Sequence, residues 1–81
     1  MNKSYTEFHL KEALEQLEQT LCSINSGEYD ETDLQPDMEH LYHHINTSWN
    51  ARHASSSQAE KCSQEDYEQW RLFPTDIDMR C

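Results

Sequence analysis

Met38-Glu39-His40-Leu41-Tyr42-His43-His44-Ile45-Asn46-Thr47-Ser48-Trp49 concentrates apolar bulk and three of the chain's five histidines in one stretch. At 100° per residue, Met38, Leu41, Tyr42, Ile45 and Trp49 fall within an arc of about 100°, the width of stripe that a helix turns toward a core. His40, His44 and Thr47 share one polar strip, and Glu39, His43, Asn46 and Asn50 share another. The stretch reads as an amphipathic helix that buries its apolar side and leaves its imidazoles outward.

A second rod precedes it. Leu10, Leu14, Leu17, Leu21 and Ile24 alternate steps of four and three, a heptad seam with Ala13 at its edge. Ser4-Tyr5-Thr6-Glu7 has the form of a capping box, and Gly27 stands where a left-handed C-cap belongs. The spacing predicts a helix over about 5–26, roughly 33 Å long. Phe8 falls nearly half a turn out of phase with the seam, so it either folds over another element or contacts a partner.

Between the rods, Glu28, Asp30, Glu31, Asp33, Asp37 and Glu39 form an acidic connection without a base. Carboxylates favour the positive end of a helix dipole, and Pro36 is tolerated in a first turn. The second helix is therefore expected over about 34–53. Two long helices with a short link form an antiparallel hairpin, the leucines of the first lying on the aromatic-bearing side of the second. Ala54-Ser55-Ser56-Ser57 breaks the periodicity and reads as a linker. Ser57 with Glu60, and Ser63 with Asp66, each offer a helix start. A short third helix over about 63–73 would carry Tyr67 and Trp70 on one side and end at Phe73 before Pro74. Thr75 to Cys81 is expected to be an extended tail pinned by Ile77.

The fold class is thus all-α, one domain spanning 1–81. A chain of this size buries only about 60% of its unfolded surface, so small domains often depend on a staple, a metal or a second copy. One glycine and two prolines leave too little turn punctuation for an all-β fold. No apolar run reaches the roughly 20 residues of a membrane span, and no apolar signal segment opens the chain. Cys22, Cys62 and Cys81 are odd in number and widely spaced, which fits reduced thiols and a cytoplasmic setting.

His40 and His44, at i and i+4, can share a metal ion, with His43 beside them. A zinc site would need further ligands from His9, His53, a thiol, a carboxylate or a second chain, so no cofactor is expected. Asp37 and Glu39 stand at helical spacing from His40 and His43, where they would favour the charged imidazolium. A single glycine excludes phosphate-cradling loops, and nothing segregates a carboxylate or thiol for catalysis; no enzyme is expected.

Six scattered Lys and Arg against a net charge of −10 argue against direct nucleic-acid binding. The same charge supports an alternative, a nucleic-acid mimic whose Glu12, Glu15, Glu18, Glu28, Asp30, Glu31 and Asp33 would occupy a basic groove. A histidine-based metal-binding protein is a second alternative. The leading expectation is a non-catalytic protein-interaction or regulatory module, because the aromatic side chains exceed what a small core needs. Phe8, Trp49, Trp70 and Phe73 are the candidate partner-binding residues. Against this, Trp49, Trp70 and Phe73 could simply build the core where the third helix docks. The heptad seam could equally meet its own copy as a homodimer.

Overall fold

The computed structural model describes residues 1–79; Arg80 and the expected thiol Cys81 lie outside the described residues. Four helices follow in order, α1 (Lys3–Ile24), α2 (Glu31–Asn50), α3 (Ser56–Lys61) and α4 (Gln64–Trp70). The architecture is the expected all-α one, a long hairpin of α1 and α2, followed by two short helices where the sequence reading has one.

Local chemistry sets the ends slightly differently from the sequence reading. α1 starts at Asn2, whose Oδ1 accepts from the Tyr5 backbone N–H at 3.1 Å. Glu7 is therefore released from the Ser4 capping box and pairs with Lys11 one turn on, at 2.8 Å. Gly27 does take the left-handed conformation, at φ +86°, past the end of the helix. α2 starts at Asp30, whose Oδ1 accepts from the Thr32 N–H while Asp33 Oδ2 accepts from the Asp30 N–H. This earlier start places Pro36 in the second turn, where its missing N–H forgoes one helical hydrogen bond. Ser55 and Gln58 cap each other reciprocally, so the serine run that reads as a linker opens α3. Ser63 caps α4 by accepting from the Asp66 N–H, and α4 ends at Trp70.

Three cross-links define the hairpin register: Asn2 N–H donates to the Arg52 carbonyl at 2.6 Å, His9 meets His44, and Gln16 meets His40. The paired numbers run in opposite directions, as two antiparallel rods require.

The inward faces are not the expected ones. α1 buries His9, Ala13 and Gln16, whereas Leu10, Leu14, Leu17, Leu21 and Ile24 keep 42–62% of their surface exposed. α2 buries Leu41, His44, Asn46, Thr47 and Ser48, and leaves Tyr42 and Ile45 exposed. The prediction of leucines inward and histidines outward is therefore overturned for α1 and for His44. The physical reason lies in the small side chains Ala13, Thr47, Ser48 and Ala51, which let the backbones approach, with the His9–His44 and Gln16–His40 hydrogen bonds between them. The hydrophobic core is correspondingly thin: Ala13, Leu41 and Ala51 are its buried members among the described residues.

α4 and the tail are held by side-chain amides of α2. Asn50 Nδ2 donates to the carbonyls of Trp70 at 2.9 Å and Leu72 at 2.7 Å, and Asn46 Nδ2 to that of Arg71 at 2.9 Å. The tail then reaches Trp49, whose Nε1 donates to Asp76 Oδ1 at 2.9 Å. Asn50→Ala should cost about 1–3 kcal/mol of local stability at this anchor. Hydrogen exchange should show faster opening of α4 with α1 and α2 little changed, and unchanged α4 protection would assign the docking to the Trp70 ring instead.

Candidate functional site

Two features of the hairpin stand out, one between the helices and one outside them. Between them, three imidazoles form a chain. His9 Nδ1 lies 2.9 Å from His44 Nδ1, His44 Nε2 lies 3.0 Å from His40 Nε2, and His40 Nδ1 lies 2.6 Å from Gln16 Oε1. Gln16 fixes the direction, because its Nε2 donates to Thr20 Oγ1 at 2.9 Å and leaves its oxygen to accept. With the amide so oriented, His40 carries its proton on Nδ1 and donates to Gln16, His44 carries its proton on Nε2 and donates to His40, and His9 carries its proton on Nδ1 and donates to His44. One end of the chain is an amide that takes no proton and the other is His9 Nε2, buried without a hydrogen-bond partner. The arrangement is a structural tie rather than a proton conduit.

In this chain a second N–H on His44 would face the His9 donor, and a proton added to His9 Nε2 would be buried without an acceptor. His9 and His44 are 6% and 7% exposed, and burial first, then the neighbouring imidazoles, lowers both to about 4. His43 is also lowered, by burial, then by His40 and Arg71. The expectation that Glu39 would favour a charged His43 is thus reversed, because desolvation outweighs an exposed carboxylate. Asp37, the acid expected to serve His40, accepts instead from the Tyr29 hydroxyl at 2.7 Å.

The predicted metal pair is brought together, with His40 and His44 bonded to each other. Among the described residues, however, no group of three His, Cys, Asp or Glu side chains is placed to hold a metal ion.

Beside the chain lies a cavity of about 370 Å³ roofed by α3 and α4, with Tyr5, Phe8, His9, His43, Tyr67 and Trp70 in its wall. Burial, and then the adjacent Cys62 thiol, pushes the Tyr5 phenol up to about 12. Of the predicted partner-binding residues, Trp70 packs edge-on to Tyr5 at 6.0 Å and is half-buried. Trp49 is likewise half-buried, under the Arg52 guanidinium at 3.8 Å. Phe8 and Phe73 remain 52% and 54% exposed.

The second feature is the face that sequence reasoning placed inside. At 100° per residue, the centre of the Leu10–Ile24 seam lies about 90° round α1 from its buried strip. The centre of Leu34, Met38, Tyr42 and Ile45 lies about 110° round α2 from its own buried strip, in the same rotational sense. Equal rotations on antiparallel rods bring both stripes to one side. In the hairpin register Leu10 stands level with Ile45, Leu14 with Leu41, Leu17 with Met38 and Leu21 with Leu34. α3 and α4 roof the other side, and the Leu10–Ile24 seam, Leu34, Tyr42 and Ile45 of this aliphatic face stay 37–62% exposed. No helix is long and apolar enough to cross a membrane among the described residues.

No protein-family model matches this chain, and comparison with curated proteins and with solved structures gives no match either.

Proposed function

We propose that this chain is a non-catalytic protein-interaction module whose working surface is the aliphatic face of the hairpin. One observation carries the reading: Leu10, Leu14, Leu17, Leu21, Ile24, Leu34, Tyr42 and Ile45 are 37–62% exposed and lie along one side of two helices. A contiguous apolar face of this many large side chains is the kind of surface that marks an interaction site. Leaving it in water opposes solubility, and covering it with another protein removes the cost. The free thiols Cys22 and Cys62, both exposed, fit work in a reducing cytoplasm.

The test is capture of protein partners by the wild type and by Leu14→Gln/Leu17→Gln, after circular dichroism has established the helicity of each. Capture that survives about 0.5 M salt and is lost in the variant supports the aliphatic face. Capture that ignores the two leucines and vanishes in salt would overturn it in favour of acidic imitation of a nucleic acid.

A further inference from the structure

Resting on that reading, we infer that the occupant of the aliphatic face is a second copy of this chain, and that two hairpins close face to face into a four-helix bundle holding the main hydrophobic core. Three observations converge on a copy rather than an occasional partner.

The first is the core. A single chain buries Ala13, Leu41 and Ala51 as its hydrophobic interior, and no side chain among the described residues is buried below 2% exposure. The larger aliphatic side chains of the hairpin are mostly outside. A chain whose burial is this incomplete requires its cover whenever it is folded, and the cover always present in matching amount is itself.

The second is the spacing. A 4-3 alternation over Leu10–Ile24 fits another helix lying along the seam at a shallow angle, the packing of four-helix bundles. The stripe of α2 supplies Ile45, Met38 and Leu34 at the levels of Leu10, Leu17 and Leu21, while Leu41 at the level of Leu14 is already buried within the hairpin. Doubling the hairpin about a two-fold axis turns three two-residue levels into three layers of four, and a two-fold interface needs only this one self-complementary surface.

The third is area. Eight large side chains, each 37–62% exposed on one face, make a surface of the order of the roughly 800 Å² per partner of a standard stable interface. The short helices lie off the face, whereas Trp49, one turn beyond Ile45 on the same stripe, holds the tail at Asp76, so the tail borders the face at that end.

Charge supplies a discriminating sign. Each chain carries −10, so two copies repel and added salt should tighten their association, whereas a basic partner would be released by salt.

Light scattering after size exclusion, with thermal melts followed by circular dichroism over a hundredfold concentration range, tests the inference on the wild-type chain. The expected results are a species of twice 9.7 kDa and a Tm that rises with concentration and with salt. Leu14→Gln/Leu17→Gln is expected to weaken association at least 100-fold, shifting the mass to 9.7 kDa or losing helicity as the dimer is lost. A wild-type mass of 9.7 kDa with a concentration-independent Tm would overturn the second copy. If the same leucines then still govern capture of other proteins, the interaction-module reading stands alone. If they govern neither, both readings fall. A dimer that persists in a folded Leu14→Gln/Leu17→Gln variant would move the interface off this face and equally overturn the inference.

Discussion

Acidification from about pH 7 to about pH 5 is expected to reduce the unfolding free energy by about 2–4 kcal/mol, with helicity lost cooperatively as the pH continues toward 4. The sign follows from His9 and His44. Both are lowered from 6.5 to about 4 in the folded chain, first by burial. Between those values the unfolded chain binds protons that the folded chain refuses, so stability is complete above about pH 6.5 and drains away as the pH falls through the window. Each factor of ten in proton affinity corresponds to about 1.4 kcal/mol, and at pH 5 the two rings share most of their effect through one hydrogen-bonded chain. A domain of this size has about 4–12 kcal/mol to lose, so the change is a large fraction of the total. General electrostatics predicts the opposite. A chain at −10 with a pI near 4.6 sheds self-repulsion as its carboxylates protonate, which stabilises a compact state. Urea midpoints at pH 7.5, 6 and 5, at fixed low protein concentration, separate the two; stability that is flat or rising on acidification would remove the imidazole chain as the cause.

The helices were legible because their signals are local. Gly27, the Ser63–Asp66 cap and the acidic run before α2 act within one turn, and each does in the structure what its chemistry dictates. Which faces meet was not legible, because periodicity reports that an apolar stripe will be covered and not by which molecule. Leu14 and Met38 carry the same signal whether the cover is the next helix or the next chain. A second pattern was present all along: His9, Ala13, Gln16 and Thr20 step by four, three and four, and so do His40, His44, Thr47 and Ala51. Matched rows of small and polar residues on two rods permit close approach with mutual hydrogen bonding. Residue-type averages hide such rows because each member alone looks like surface. His40 and His44 meet, as their i, i+4 spacing implies, but His9 and Gln16, the residues that complete the chain, come from 35 and 24 positions away and cannot be found from local spacing.

His44→Leu is expected to destabilise the hairpin by about 2–4 kcal/mol, and His9→Leu/His44→Leu to recover most of that loss. Leucine is close to histidine in volume, so neither variant opens a cavity, and the difference isolates hydrogen bonding. In the single variant the His9 Nδ1–H loses its acceptor in a site only 6% exposed, where water cannot replace it. His40 also loses its donor, but it is exposed enough to turn to solvent. Removing His9 as well eliminates the stranded donor and adds apolar contact beside Ala13, so the double variant approaches the wild type despite carrying more changes. The double-mutant cycle should therefore give a coupling of about 1–3 kcal/mol, far from additivity. The same double variant should lose most of the stability change between pH 6.5 and 4, because neither titrating ring remains. Urea unfolding at pH 7.5 and pH 5 on all four members of the cycle measures both quantities. A near-neutral single variant with additive effects would show that the rings merely fill space between the helices, and that the hairpin is held by its small-residue packing alone.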